Sequence, residues 1–499
     1  NHLGKVRSSL KRISFNDNWT VGTKSGFFSE MTGKSAPPKP ITLPHDAMIE
    51  RERRKPTERG AAAHLNSIGY YPEGEYDYKK TFFVPAEYKE KRVAIEFEGV
   101  YMNAMVYING DFAGQCPSGY MNFYIKADRF LKYGEDNEIK VVAMNYKDSR
   151  WYTGAGIYRN TNLIVGNLVH IALDGVKVST PDINQDRAVV TVATVIENEG
   201  IHTRTVYVQT EILDAGGQVV AVDTAPVTTF AGESATLRQR IYVRSPKLWS
   251  VLQPNLYTCR SQIVAEEELL DEEINTFGIR SLTLDPDRGL CINGESVKLR
   301  GACIHHDNGV LGAATIGRAE ERRVEILKQA GFNAVRSAHN PISKAFLEAC
   351  DRLGMLVMDE SFDMWTSTKT DHDYALHFPV WWEKEIEAMV NKDYNHPCVI
   401  MYSIGNEIPE TGRPVDSAWG RKLAEKVRSL DSTRYVTNSI NFMVAIMDEF
   451  KKMMQQGDSE SQQPEANEGI NTMMNRMKDG ITAITCSNLA TENTKESFA

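Results

Sequence analysis

The chain changes its hydrophobic period near residue 285. Before that point apolar and polar positions alternate. In Arg92-Val93-Ala94-Ile95-Glu96-Phe97-Glu98, Val93, Ile95 and Phe97 share one face and charges occupy much of the other, the pattern of a half-buried strand. Met105 to Ile108 continues the style and runs into Asn109-Gly110, a dipeptide that suits a tight hairpin turn. Glu138 to Met144 reads as another strand, and an all-β sandwich is expected over residues 1–167. Val189 to Ile196 and Val206 to Ile212 are rich in Val, Ile and Thr, and Gly216-Gly217 follows the latter. Short strands with regular turns over about 110 residues fit an immunoglobulin-like β-sandwich, here 168–284. No Cys-Trp-Cys pattern appears, so that sandwich is expected without its disulfide. Segment 246–257 (PKLWSVLQPNLY) is too rich in proline for a central strand and is expected to cross a domain edge.

From about 285 strand and helix patterns alternate. Val297 to Ile304 reads as a strand, and residues 316–330 as a helix that stops at Gly331, a residue suited to a helix C-terminus. Asn333 to Arg336 is a short strand. Ser343 can cap a helix with Phe346, Leu347, Cys350 and Leu353 on one face, ending at Gly354. Met355 to Met358 is apolar throughout, as befits a strand covered on both faces. Trp382, Ile386, Met389 and Val390 mark a helix, Val399 to Ile404 a strand, Trp419, Leu423, Val427 and Leu430 a helix, and Arg434 to Thr437 a strand. This succession predicts a parallel α/β fold. No G-x-G-x-x-G follows the first strand, which favours a β/α barrel over a dinucleotide-binding sheet. About five strands are legible where a closed barrel needs eight. Gln455 to Glu468 reads as an exposed loop and Met473 to Met477 as a helix, so 285–499 is expected to hold only the first part of a barrel, truncated at its C-terminal side.

The 499 residues carry 57 Lys+Arg against 66 Asp+Glu, a net charge of −9, with 41% hydrophobic and 25% charged residues. That mix excludes a disordered chain, a collagen and a coiled coil. At ~150 residues per domain it corresponds to about three domains. No apolar run approaches the ~18 residues of a membrane helix, so no membrane partner is expected. A net acidic chain without a Lys/Arg block is unsuited to sequence-independent nucleic-acid binding. The seven cysteines are scattered with no C-x-x-C pair, which predicts buried free thiols. The first residue is Asn1 rather than Met, and a leader removed from that end would leave the compartment open between secreted, periplasmic and cytoplasmic. A homo-oligomer, most simply a dimer, is compatible with the sequence.

Polar residues crowd the predicted C-terminal strand ends: His305-His306-Asp307, Arg336 with His339, Asp359-Glu360, and Asn406-Glu407. Barrel active sites sit at that end. Glu407 is the sharpest candidate: a carboxylic acid at the lip of a dry barrel can donate a proton, and Asn406 beside it can hydrogen-bond a substrate hydroxyl. The competing reading is a glutamate that caps the next helix. His305, His306, Asp307, His339 and Glu360 suit a sugar-binding rim, a metal site, or structural hydrogen bonding; no tight spacing such as H-E-x-x-H supports catalytic zinc. Trp365 is either a platform for a sugar ring or a buried loop tryptophan. His372 and His377 read as solvated loop residues.

Six segments together carry a resemblance: SRWYTGAGIYR at 149–159, TFGIRSL at 276–282, LRGACIHHDNGVLG at 299–312, VRSAHNP at 335–341, MDESFDMW at 358–365 and NHPCVIMYSIGNE at 395–407. In this order they resemble glycoside hydrolase family 2, the family of β-galactosidases, β-glucuronidases and β-mannosidases, nearly end to end. The resemblance implies a jelly-roll β-sandwich, an immunoglobulin-like β-sandwich and a (β/α)8 TIM barrel present only in part. It implies that Glu407 is the general acid/base, and that Asn406, His305, His339, Arg336, Glu360, Asp363 and Trp365 line or brace the sugar site. It further implies a retaining mechanism in which a second carboxylate, ~5–5.5 Å away, attacks the anomeric carbon.

The family's nucleophile is a glutamate at the end of the seventh barrel strand. Here Glu492 and Glu496 sit in a polar stretch with no strand ahead of them, and neither fits that role. This chain alone is therefore expected to be inactive and the full-length protein active. The first barrel motif reads HHDN where galactosidases more often carry HEDH or HEHH, which leaves contacts near His306 and Asp307 open. The expected function is a retaining exo-β-glycosidase acting on a terminal β-linked sugar of a glycoside or oligosaccharide, first a β-galactosidase. A β-glucuronidase or β-mannosidase is the alternative, and a non-catalytic carbohydrate-binding protein on a degenerate barrel the competing class. No cofactor is implied; Mg²⁺ or Na⁺ at Glu360 and neighbouring oxygens is left open.

Overall fold

The computed structural model describes residues 11–24, 37–55, 67–413 and 415–446. The readings made for Gln455 to Glu468, Met473 to Met477, Cys486, Glu492 and Glu496 lie outside these residues.

The first sandwich pairs a six-stranded sheet, in the order Lys39–Ile41, Trp19–Thr23, Gly74–Val84, Glu135–Asn145, Ala104–Ile108, Asp111–Cys116, with a four-stranded sheet, in the order Lys11–Ser14, Thr161–Gly166, Arg92–Phe97, Phe123–Lys126. Ala104–Ile108 pairs antiparallel with Asp111–Cys116 through Asn109 (φ 53°) and Gly110 (φ 90°), so the Asn-Gly pair makes the expected turn with both residues left-handed.

The strand Arg92–Phe97 departs from expectation. All six residues are buried, where alternation predicted a wet face. Its outward Glu96 is covered by the barrel: Lys344 donates to it at 2.8 Å, and Arg12 pairs with it from the other side. Burial by itself would push this carboxyl up, but Lys344 and Arg12 more than offset it and hold it near about 2. A carboxylate depressed in the fold stabilises it above the unfolded value of about 4.3, and that contribution is lost as pH falls toward 2. Stability of the native protein should therefore decline between about pH 5 and 2, and the decline should be shallower in Lys344→Met, as read by tryptophan fluorescence during acid titration.

The second sandwich consists of a three-stranded sheet (Val169–Ile183, Arg187–Asn198, Ser234–Arg244) facing a four-stranded one in the order Val219–Thr229, Arg204–Leu213, Tyr257–Ala265, Glu268–Phe277. Its core is mostly aliphatic, from Val190 and Val192 to Ile212 and Ile263, joined by Tyr257 and Phe277, with Cys259 buried as a free thiol. The proline-rich segment joins units as expected: Trp249 is fully buried, and its indole donates to the Asp351 carbonyl at 2.9 Å.

Beyond a small antiparallel sheet, five parallel strands follow in sequence order: Gly301–Ile304, Ala334–Ser337, Leu356–Glu360, Val399–Asn406 and Tyr435–Ser439. Helices Gly317–Gln329, Lys344–Leu353, Phe378–Asp393 and Ala418–Leu430 connect them, giving a partial TIM barrel. The first strand is shorter than its apolar pattern suggested, because Glu295–Ser296 belongs to the antiparallel sheet and the parallel ladder starts only at Gly301. Ser343 caps its helix by accepting from the Phe346 amide at 3.2 Å, and Gly354 ends it at φ 70°. Of the described cysteines, all are buried free thiols except Cys303, which is exposed on the first barrel strand.

Candidate active site

Parallel pairing puts all strand C-termini on one side, so polar residues placed just there converge. The third strand ends at Glu360, whose side chain is 0% exposed. Arg336 on the second strand donates to it through Nε (3.1 Å) and Nη2 (2.8 Å), Ser403 at 2.6 Å and Ser439 at 3.0 Å; His339 Nδ1 lies 3.0 Å from Oε1. Burial works against the Arg336 charge, but Glu360 outweighs it and raises the guanidinium above its usual value. A carboxylate so fully supplied with donors, one of them cationic, does not suit a metal ion; the donor set at Glu360 does not fit Mg²⁺ or Na⁺.

The network continues outward. Arg336 Nη2 donates to Asn406 Oδ1 at 2.8 Å, and Asn406 Nδ2 donates to Asp363 at 2.8 Å. This fixes the amide orientation and leaves each end of Asn406 one further hydrogen-bonding position. Burial would push the Asp363 carboxyl up, yet Lys369 (3.1 Å) and Arg150 (2.7 Å) bring it below the ordinary range.

Glu407 follows the fourth strand. Residues 402–406 are buried, whereas Glu407 is half-buried and adopts φ 50°. The left-handed backbone turns its side chain out of the strand direction. Its amide donates to the Ser439 carbonyl at 2.8 Å, and Asn441 donates to its Oε1 at 3.0 Å. With Arg336, Asn406, Ser439 and Phe442 it lines an open cavity of about 530 Å³. It caps no helix; the next short turn begins at Pro409.

The remaining sequence candidates separate. His305 is half-buried with Nδ1 unpartnered, and its ring lies 5.4 Å from that of His339. Burial, with His339 second, lowers its pKa. His306 turns away: it is buried, bonds the Thr153 carbonyl at 2.9 Å and packs on Tyr120 and Tyr158, and burial lowers its pKa to about 3. Trp365 corrects the platform reading. It is 0% exposed and donates its indole N–H to the Ile404 carbonyl at 3.0 Å, so it braces the fourth strand and offers no face to a ligand. His372 is exposed, as read; His377 is half-buried at the start of the Phe378–Asp393 helix.

Three site residues were not singled out from sequence. Arg150 and Trp151 reach in from the first sandwich: Arg150 grips Asp363, and the Trp151 ring lies 5.3 Å from His305 and 5.4 Å from His339. Both lie inside the 149–159 segment, so the signal was present but carried no pairing information. Lys369, in a polar loop, had no signal.

The geometry defines a network of cross-bonded polar side chains at the C-terminal strand ends of a partial TIM barrel, reached by residues of the first β-sandwich. Models of glycosyl hydrolases family 2 match the chain in three parts: the sugar binding domain over 66–166, the model that carries the family's own name over 169–280 and the TIM barrel domain over 286–487. The chain is 35% identical over 470 residues to the β-galactosidase BoGH2A of Bacteroides ovatus, covering 87% of this chain and 54% of that protein. It is 34% identical over 438 residues to a putative β-glucuronidase of Formosa agariphila, covering 87% and 40%. A solved family 2 member from Bacteroides cellulosilyticus superposes with TM-score 0.82 at 38% identity, over 89% of this chain and 57% of that one. The chain belongs to glycosyl hydrolases family 2. It spans about half the length of the curated relatives it matches.

Proposed function

We propose that the protein carrying this chain is a retaining exo-β-glycosidase that acts on terminal β-galactosides, with Glu407 as general acid/base. The observation that supports it most is the placement of Glu407: left-handed at a barrel strand end, held by Asn441, and open to the cavity beside Asn406 and Arg336. In the first step Glu407 would protonate the glycosidic oxygen as the bond to the anomeric carbon breaks. A second carboxylate would attack that carbon, and Glu407 would then take a proton from the incoming water. Glu360 is unsuited to the attack, because Arg336, Ser403 and Ser439 occupy its oxygens. In this reading His305, His339, Asn406 and Trp151 contact the sugar, while Arg336, Glu360, Asp363 and Trp365 hold them. No step needs a cofactor.

A β-glucuronidase is the second reading. The Arg150 side chain is 35% exposed beside the site and could meet a substrate carboxylate, and one relative is named a putative β-glucuronidase. The test is nitrophenol release from the β-galactoside and the β-glucuronide by the protein at its relatives' length. Turnover of the galactoside at least tenfold above the glucuronide supports the first reading. The reverse supports the second, and turnover of neither sinks both.

A further inference from the structure

Away from the strand ends, Asp351 in the helix Lys344–Leu353 meets His396 and Cys398, which lie just ahead of the strand Val399–Asn406. His396 Nδ1 lies 2.5 Å from one Asp351 oxygen, and the Cys398 amide donates to the other at 3.0 Å. The Cys398 thiol donates to the Leu347 carbonyl at 3.6 Å. A carboxylate oxygen, a ring nitrogen and the sulfur all lie within 4.8 Å of one another. Asp351 and Cys398 are buried, and the His396 side chain is 16% exposed. The backbone around the cluster is braced. Arg434, itself buried, donates to the Tyr394 and His396 carbonyls at 2.9 and 2.8 Å, and Arg280 to those of Pro397 and Val399, both at 2.7 Å. Asp351 and His396 also line a cavity of about 450 Å³ where the two sandwiches meet the barrel, which gives an ion a way in.

We propose that Asp351, His396 and Cys398 bind a divalent cation of the zinc class, which staples the Lys344–Leu353 helix to the segment that leads into the fourth barrel strand. The site is independent of the acid/base reading of Glu407. Sulfur, imidazole nitrogen and one carboxylate oxygen are the donors zinc takes, whereas Mg²⁺ and Ca²⁺ want oxygen alone. A tetrahedral zinc keeps its ligand atoms roughly 3.5 Å apart, so modest side-chain rotations close the set, and water from the cavity fills the fourth position. On binding, the Cys398 S–H bond breaks, a sulfur–metal bond forms and the proton leaves to solvent; the imidazole ligates through Nδ1 and carries its proton on Nε2. One dication then meets one thiolate and one carboxylate, so the set adds no net charge beside Arg280 and Arg434. Among the described residues His170, Glu197 and Glu199 also cluster, but their donors are spent. The His170 nitrogens are bonded to the Asn167 carbonyl and Glu197, and Lys126 holds Glu199 at 2.6 Å. At Asp351 the bonds run between the ligand residues themselves, and only the Leu347 carbonyl competes from outside.

The experiment is a titration of the metal-free full-length protein with Co²⁺, read by thiolate-to-cobalt charge transfer and by the d–d absorption of a tetrahedral site. One equivalent should produce both signals, and one equivalent of Zn²⁺ should remove them. Cys398→Ser should abolish the charge-transfer band, while Cys303→Ser, which removes the exposed thiol, should leave it unchanged. His396→Gln should weaken Co²⁺ binding by about tenfold or more, at least the cost of losing an outer-shell partner. If Cys398→Ser fails to fold, X-ray absorption at the zinc edge of the wild-type protein decides, with one sulfur and three nitrogen or oxygen neighbours expected. A wild type without the band at one equivalent, a zinc shell without sulfur, a band that persists in folded Cys398→Ser, or unchanged affinity in His396→Gln overturns the inference. None of these readouts needs turnover, so an inactive wild type would defeat the proposed activity and leave this site to stand or fall on its own.

Discussion

Glu407→Gln should lower kcat/KM for an alkyl β-glycoside by about 10²–10⁴-fold, the usual worth of a positioned proton donor. The size follows from the leaving group. An alkoxide is too basic to depart unaided, so the proton must arrive as the bond breaks. Nitrophenolate leaves as the anion, so for the nitrophenyl glycoside kcat/KM should fall far less than for the alkyl substrate. Its kcat should still drop, because in the proposed mechanism the same residue would act as base when water attacks the glycosyl-enzyme. The contrast between the two substrates is the signature. A uniform loss on both would point to a disturbed fold, and undiminished kcat/KM on the alkyl glycoside would place the donor elsewhere. Asn441, which holds Oε1 at 3.0 Å, is not expected to substitute, since an amide has no proton to give at neutral pH.

The second large effect concerns stability. Arg336→Met removes a cation that sits on Glu360 through Nε and Nη2 and reaches Asn406 through Nη2. Glu360 is then left buried with two hydroxyls and His339 but no permanent positive charge. Breaking a buried pair on one side costs about 3–5 kcal/mol, more than the intact pair contributes, because the remaining charge must stay desolvated or take up a proton. Urea unfolding monitored on the barrel should show that loss at pH 7. The double variant Arg336→Met with Glu360→Gln should recover much of it, since no charge is then stranded. A loss below about 1 kcal/mol in the single variant would mean that water reaches Glu360 and the buried-pair account is wrong.

The sequence carried the strand and helix order well where local period and local caps decide it. Ser343 with Gly354, and Asn109 with Gly110, act within a few residues, and their geometry came out as their chemistry required. It carried less where burial is decided at a distance. Glu96 looks like the wet side of a strand until Lys344, 248 residues later, covers it. Trp365 looked available as a platform because nothing local says that a carbonyl 39 residues on will take its indole. The site divides along the same line. Strand-end residues were legible because a parallel sheet sends every C-terminus to one side. Arg150 and Trp151 belong to a loop of the first sandwich, after strand Glu135–Asn145, and only docking brings them over the barrel mouth. Lys369 lies in a polar loop whose order comes from Asp373 and Glu410, which look like any surface acids in sequence.

The cover over Glu96 bears on how the chain is made. At about 5–20 residues per second, the 178 residues from Gly166, where the first sandwich's last strand ends, to Lys344 take roughly 9–36 s to synthesise. Through that interval the first sandwich, folding as a unit, must present the future interface to water. A face of Glu96, Asn122 and Tyr124, already bonded to one another, tolerates such a wait, where an apolar one would seek a wrong partner. The polar alternation that reads as a solvent face in the strand is accurate for the nascent chain, and becomes an interior only when the barrel arrives.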